Sequence, residues 1–328
     1  MSRHNAAPST VPDTRTAPRR WRSRGAVRRF AWPYALVAPV VLLILVFTYF
    51  PIAQGVGLSL TDTNLLRLHL GVHQVGLDNY AQALGSSRFW SIAFQTFAWT
   101  AVTVAGSLIL GVTAAVLLTE VRRGEPLRGR AVLAGLLLVP FVVPPVVAGY
   151  VWNYLYSGSG PLNGVLAALG QQEPFYFLSN MSARALGLLA PMWSLMQVGI
   201  WVGFPFFFLM TAAALTSVPV ELLEAAELDG AGSWTTFRKI TLPLIAPVLE
   251  VTIFLEILFR LGSPDLPYLL TGGGPLDASN VWSVFIYQIG FAKFDIGYGS
   301  ALGIVLFLIT MPFAILYVRR ARRQLTTA

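Results

Sequence analysis

Hydrophobic and polar positions in this chain fall into blocks rather than a short alternation. Six long apolar runs stand out: Tyr34–Leu58, Phe89–Leu118, Ala131–Tyr156, Ala183–Leu215, Ile245–Leu261 and Gly299–Val318. About 20 apolar residues in a helix cross the hydrocarbon of a bilayer. The pattern therefore predicts an all-α polytopic membrane protein with six transmembrane helices.

The connections differ among themselves. Residues 1–32 are rich in Arg, Ala, Pro and Thr, lack apolar periodicity, and read as a disordered cytoplasmic tail. The first run is too long for a signal-peptide core, so an uncleaved first span is expected. VGLDNY, from Val75 to Tyr80, precedes a helical stretch from Ala81 to Phe89 expected to lie at the membrane interface. LTGGGP, from Leu270 to Pro275, is a turn, because three glycines and a proline cannot continue a helix. Asn280–Phe291 is apolar, helix-like and too short to span; it is expected to lie on the outer surface before the last span. Residues 319–328 form a basic C-terminal tail.

The longest acid-rich run is Pro219–Pro247, between the fourth and fifth apolar runs. Glu221, Glu224 and Glu227 recur at i, i+3, i+6 on a strong helix-forming segment that ends at Gly230 and Gly232. A second short helix is expected over Trp234–Thr241, stopping before Pro243. Such a helix–turn–helix lies on something rather than crossing a bilayer, and offers a docking surface for a soluble partner.

Composition sharpens this picture. Hydrophobic residues make up 55% of the 328 and charged residues 12%, with mean hydropathy +0.64, outside the soluble range. The net charge of +8 would suit nucleic acid, but its distribution argues for a membrane. Eight arginines precede residue 30; Arg122, Arg123, Arg128 and Arg130 fill one turn, and Arg319, Arg320, Arg322 and Arg323 follow the last run. The 59–88, 157–182 and 262–298 connections carry Arg67, Arg88 and Lys293 alone. By the positive-inside bias both termini, and with them Pro219–Leu244, face the cytoplasm. With no cysteine, thiol chemistry is excluded. His69 and His73 sit i, i+4 without a third ligand, so no metal site is expected.

Within the spans, Gly199 and Gly203 form a GxxxG that predicts close helix packing. Pro140, Pro144, Pro145 and Pro205 interrupt the third and fourth runs. An ionisable residue at mid-span costs about 2.5–3.5 kcal/mol, and the fifth run carries Glu250, Glu256 and Arg260. Glu256 and Arg260, at i, i+4, either neutralise each other within the bundle or line a substrate pathway. Trp193, Gln197, Trp201, Phe204 and Phe208 share one helical face; aromatic rings beside hydrogen-bonding groups suit a sugar, and equally suit ordinary packing.

The acid-rich stretch carries a longer pattern, EAA-x2-DGA-x5-F-x2-I-x-LP-x3-P. It is met by Glu224, Ala225, Ala226, Asp229, Gly230, Ala231, Phe237, Ile240, Leu242, Pro243 and Pro247. The chain thereby resembles the permease subunits of binding-protein-dependent ABC importers, in particular the carbohydrate-uptake group with the maltose and glycerol-3-phosphate permeases. VGLDNY, Leu137–Asn163, the Arg260-to-LTGGGP stretch and GYGSALG (Gly297–Gly303) extend the likeness from Tyr34 to Arg320. The resemblance implies a type I importer permease fold over residues 33–318, with a cytoplasmic coupling helix in about 219–247. It also implies docking of Glu224, Ala225, Ala226, Asp229, Gly230 and Ala231 on a cytosolic ATPase dimer. A second permease subunit completes the pathway in this family, and an extracytoplasmic binding protein delivers the solute, a sugar or related polyol. The chain has no GxxxxGK[ST] loop, so the resemblance places ATP and Mg on the partner and no cofactor here. It departs from the group in its long Arg-rich tail and in lacking a large insert in an outer loop. Two other readings compete: an ion-coupled transporter or channel using Glu256 and Arg260, and a membrane enzyme. No inverted three-span repeat favours the former, and no converging acid/base set the latter.

Overall fold

A computed structural model describes residues 34, 36–118 and 129–327, with side chains through 320. The tail expected at 1–32 and three arginines of the 120–130 turn (Arg122, Arg123, Arg128) lie outside the described residues. The chain forms two units, Met1–Ala53 and Gln54–Ala328.

The first unit holds the start of helix α1, Leu36–Ser59, whose last turns belong to the second unit. A π turn at Leu45–Tyr49 interrupts it. All its described side chains up to Ala53 are exposed, as expected of a helix that meets lipid.

The second unit is built on α3 (Ser87–Leu118) and α7 (Ala190–Leu215), which pack along most of their lengths. Small residues let them approach. A Cβ at Gly199 would enter the Trp99 ring, and one at Gly106 would lie 2.5 Å from Ile200. Trp99, Met192, Leu195 and Val198 form the largest core cluster around this seam.

The third apolar run is a broken helix. Val143 precedes Pro144, which disfavours helical backbone at that residue; its ψ is 120°. Thus α4 (Arg130–Val142) and α5 (Pro145–Leu155) meet at 99°, with Pro145 opening the second piece. Counting the bent pair once gives six candidate spans among the described residues, and five otherwise. Helix α6 (Pro161–Ala168) follows. The fourth run is shorter than expected, because Arg184–Ala185 (β1) and Leu188–Leu189 (β2) form a hairpin before α7. Leu186 and Gly187, both at positive φ, make its turn.

Beyond α8 (Val220–Leu228), the helix expected to stop before Pro243 does not stop. α9 runs unbroken over Ser233–Gly262. A π turn at Phe237–Thr241 absorbs the proline: the Leu242 amide bonds to the Phe237 carbonyl. The ladder has already slipped by one residue where Pro243 lacks a donor. α10 (Asp265–Thr271) ends at Gly272, φ 60°, beginning the predicted turn. The expected outer-surface helix over Asn280–Phe291 is instead a core element. In α11 (Trp282–Ala292), Trp282, Phe285 and Ile289 are buried against Phe89, Ile92 and Leu302. Helix α12, Ile296–Thr327, carries the basic C-terminal stretch as its continuation rather than as a separate tail.

Two predicted loop motifs have structural jobs. VGLDNY starts α2 (Asp78–Gly85), which breaks at Ser86 before α3 instead of running on to Phe89. Its Asn79 amide donates to the carbonyls of Ser59 (2.9 Å) and Thr61 (2.8 Å), capping the end of α1. In the glycine turn, Gln288 donates to Gly272 O at 2.7 Å and Ser279 to Gly274 O at 2.7 Å.

Candidate functional site

The acidic loop ends in a Schellman cap. The Gly230 amide bonds to Glu227 O (3.0 Å) and the Ala231 amide to Ala226 O (2.9 Å), around Gly230 in the left-handed region at φ 72°. A side chain there would strain the turn, so the glycine of the motif fixes where α8 ends. Ala226 is buried and Leu223 packs beside Ala214, Val218, Ile245 and Leu249, seating α8 on the end of α7 and the middle of α9. The opposite face is open: Glu221, Glu224, Ala225, Glu227 and Asp229 are exposed. So are two apolar residues that charge patterning did not single out, Leu228 (90%) and Trp234 (71%). An exposed tryptophan and leucine beside a row of acids make a surface suited to another protein.

Inside the bundle, Glu256 and Arg260 are both more than nine-tenths buried. Arg260 Nε donates to Glu256 Oε1 at 2.8 Å, and Nη2 donates to the Gly199 carbonyl at 2.9 Å. The guanidinium carbon lies 5.5 Å from the centre of the Trp99 ring. A Cβ at Gly203 would lie 2.5 Å from Arg260 Nη2 and 2.6 Å from Ser107 Oγ. The second glycine of GxxxG therefore makes room for a polar node joining α3, α7 and α9. Each charge has its opposite within reach, the arrangement that makes burial tolerable. A cavity of about 40 Å³ touches Trp99, Arg260, Ser263 and Asp265.

The aromatic face forms a different place. A groove of about 430 Å³ is lined by Trp152, Trp193, Gln197, Ile200, Trp201 and Phe204, among others. Trp152, from α5, was not singled out in the sequence, since the bend that brings it here is invisible in an apolar pattern. Its ring meets Trp201 edge-on at 5.5 Å. Tyr156 Oη lies 3.0 Å from Gln197 Oε1 and 3.2 Å from the Ser194 carbonyl, and donates toward both. Phe208 is not in the groove but buried beside Ala115 and Leu118. The candidate residues thus divide: Trp193, Gln197 and Trp201 share the groove, while Glu256 and Arg260 do not line it. Among the described residues no group of three metal-ligating side chains occurs; His73 instead pairs with Asp62 at 3.1 Å.

The chain belongs to the family of binding-protein-dependent transport system inner membrane components, whose pattern matches residues 107–325. It is 32% identical over 294 residues to the trehalose/maltose transport system permease protein MalF of Thermococcus litoralis, covering 88% of this chain and 93% of that one. It is also 32% identical over 292 residues to the sulfoquinovosyl glycerol transport system permease protein SmoG of Agrobacterium fabrum, covering 88% and 90%. Among solved structures, a bacterial ABC transporter involved in the import of the acidic polysaccharide alginate contains a chain of the same fold. The TM-score is 0.74 at 21% identity, over 91% of this chain and 98% of that one. The protein is a multi-pass permease component of an ABC importer, of the inner-membrane class, and its relatives are transport permeases rather than enzymes.

Proposed function

We propose that this chain forms half of the translocation pathway of an ATP-driven importer for a sugar or related polyol. It couples to a separate cytosolic ATPase dimer through Glu224, Ala225, Ala226, Asp229, Gly230 and Ala231. ATP and Mg are bound by that partner, a second permease subunit completes the pathway, and an extracytoplasmic binding protein delivers the solute. Both termini and the acidic loop face the cytoplasm in this reading, which rests on the basic flanks of the chain.

The observation that carries the proposal is the Schellman-capped α8, seated by Ala226 and Leu223, with its acids, Leu228 and Trp234 turned to solvent. The names of the relatives support a saccharide-class solute. The aromatic groove around Trp193, Gln197 and Trp201 supports it chemically, because flat rings cover the C–H faces of a sugar while Gln197, held by the Tyr156 hydroxyl behind it, meets its hydroxyls. Glu256 and Arg260 form a buried, mutually neutralised pair outside this groove. That neutralisation gives no support to an ion-coupled mechanism.

The test is solute uptake by vesicles holding the reconstituted importer. Uptake of a labelled disaccharide that requires ATP inside, the ATPase subunit and the binding protein is the expected result. Uptake by this chain alone in an ion gradient would overturn the reading.

A further inference from the structure

The segment joining α1 to α2 is an ordered stretch that turns leucines outward. Leu65–Leu70 is a short 3-10 helix whose Leu65, Leu66, Leu68 and Leu70 are 47%, 66%, 50% and 64% exposed. It is held in that posture. Asn64 Oδ1 accepts from the Leu66 amide at 3.0 Å, and the Gly71 amide closes the end on Leu68 O at 3.1 Å. A bridge between Thr61 and Gln74 ties its base.

The same segment is fastened to the start of the last span. Asn64 pairs with Asp295, the Leu65 amide donates to Phe294 O at 2.9 Å, and the Gly297 amide donates to Thr63 O at 2.9 Å. Gly297 is the second residue of α12, a candidate span. The leucines therefore stand beside the N-terminal end of α12. The junction on that side exposes Phe291 (65%) and Phe294 (41%) as well, while Arg67 and Lys293 are exposed among them. Apolar side chains interspersed with basic ones, held at the end of a membrane span, match the headgroup–acyl boundary and not bulk water.

We propose that Leu65–Leu70, with Phe291 and Phe294, is a lipid-seated foot. It lies in the interface of the leaflet at which α12 begins, with its leucines among the upper acyl carbons and Arg67 and Lys293 at the phosphates. The foot holds the ends of α1 and α12 at a fixed depth.

The chain contains no cysteine, so a single introduced thiol reports from one place in it. Leu66→Cys and, separately, Leu68→Cys are labelled with an environment-sensitive fluorophore. Each is reconstituted with the partner subunits in vesicles of phosphatidylethanolamine and phosphatidylglycerol. Gln172→Cys, in an exposed loop, is the control. The expected result is quenching by acyl-chain nitroxide lipids about twofold or more above the control, with weak quenching by aqueous iodide. Iodide quenching equal to the control would overturn the proposal, since the segment would then stand in water. Protection from both quenchers would also overturn it, by showing that a protein covers the leucines.

Discussion

Arg88 grips Asp277 across 189 residues of sequence, with Nε to Oδ2 at 2.7 Å and Nη2 to Oδ1 at 2.9 Å. The guanidinium lies 4.7 Å above the Phe285 ring, and Asn280 donates to the same carboxylate at 2.7 Å. This clasp ties the first turn of α3 to the glycine turn after α10. Asp277 sits at positive φ, so the salt bridge also holds a residue in a backbone conformation it would otherwise leave.

Burial pushes the Asp277 pKa up, but the Arg88 and Asn280 hydrogen bonds outweigh it and leave the carboxyl below its ordinary range. A depressed carboxylate stabilises the fold above the unfolded-state pKa, and that contribution is lost as pH falls through the lowered value. Arg88→Ala is expected to cost about 1 kcal/mol at neutral pH, since both partners are partly exposed. Thermal unfolding in detergent should show the cost at pH 7 and its disappearance in acid below the ordinary carboxylate range. An equal loss at both pH values would show that the ion pair is not its source.

The Gly230 turn makes a separable prediction about coupling. A residue other than glycine at φ 72° costs about 1–2 kcal/mol locally, with asparagine the mildest. Gly230→Asn is expected to retain most uptake. Gly230→Pro should abolish uptake and ATPase stimulation, because proline fixes φ near −65° and removes the amide that bonds to Glu227. Membrane insertion, followed by protease accessibility, should be unchanged in both. Normal uptake by the proline variant would count against a coupling role for this loop.

The polar node predicts an asymmetry between single and double substitutions. Glu256→Gln leaves a buried guanidinium uncompensated and is expected to lower stability by about 3–5 kcal/mol. Glu256→Gln combined with Arg260→Met removes the charge and should recover most of that loss. Gly203→Ala should cost about 1–3 kcal/mol through overpacking against Arg260 and Ser107. Denaturation midpoints of the purified complex measure all three. Additive losses in the double variant would mean that the two residues do not act as a pair.

The groove predicts a loss confined to solute handling. Trp201→Ala removes the ring that meets Trp152, and uptake at limiting solute should fall about tenfold, the equivalent of about 1.4 kcal/mol. Basal ATP hydrolysis and complex assembly should be unchanged. Parallel loss of assembly would assign Trp201 to packing alone.

The spans and the acidic loop were legible because hydrocarbon thickness and helix capping impose local rules. A run such as Phe89–Leu118 has few alternatives, and Asp229-Gly230 announces its own turn. What escaped was decided by contacts distant in sequence. Pro243 reads as a stop, yet a π turn one step earlier carries the helix past it. Asn280–Phe291 reads as a surface helix because its length forbids spanning, whereas Trp282 and Phe285 are buried by packing on Phe89. Ala183–Leu189 is apolar enough to extend the fourth run, but Gly187 and the pairing of Arg184 with Leu189 turn it into a hairpin. The i, i+4 spacing announced the Glu256–Arg260 pair; its third partner, the Gly199 carbonyl, lies 61 residues away. The aromatic stripe groups Trp193, Gln197 and Trp201, which line one groove, but nothing local could assign Trp152 to the same groove or remove Phe208 from it.

That Pro243 fails to break its helix has a mechanical consequence. Ser233–Gly262 is one rod of 30 residues, about 45 Å at 1.5 Å per residue. It starts beside the capped acidic turn and ends past the Arg260 node. A tilt of about 5° at its base would carry its far end through about 4 Å. Had the proline cut the rod at residue 243, the same tilt would have been spent in the joint.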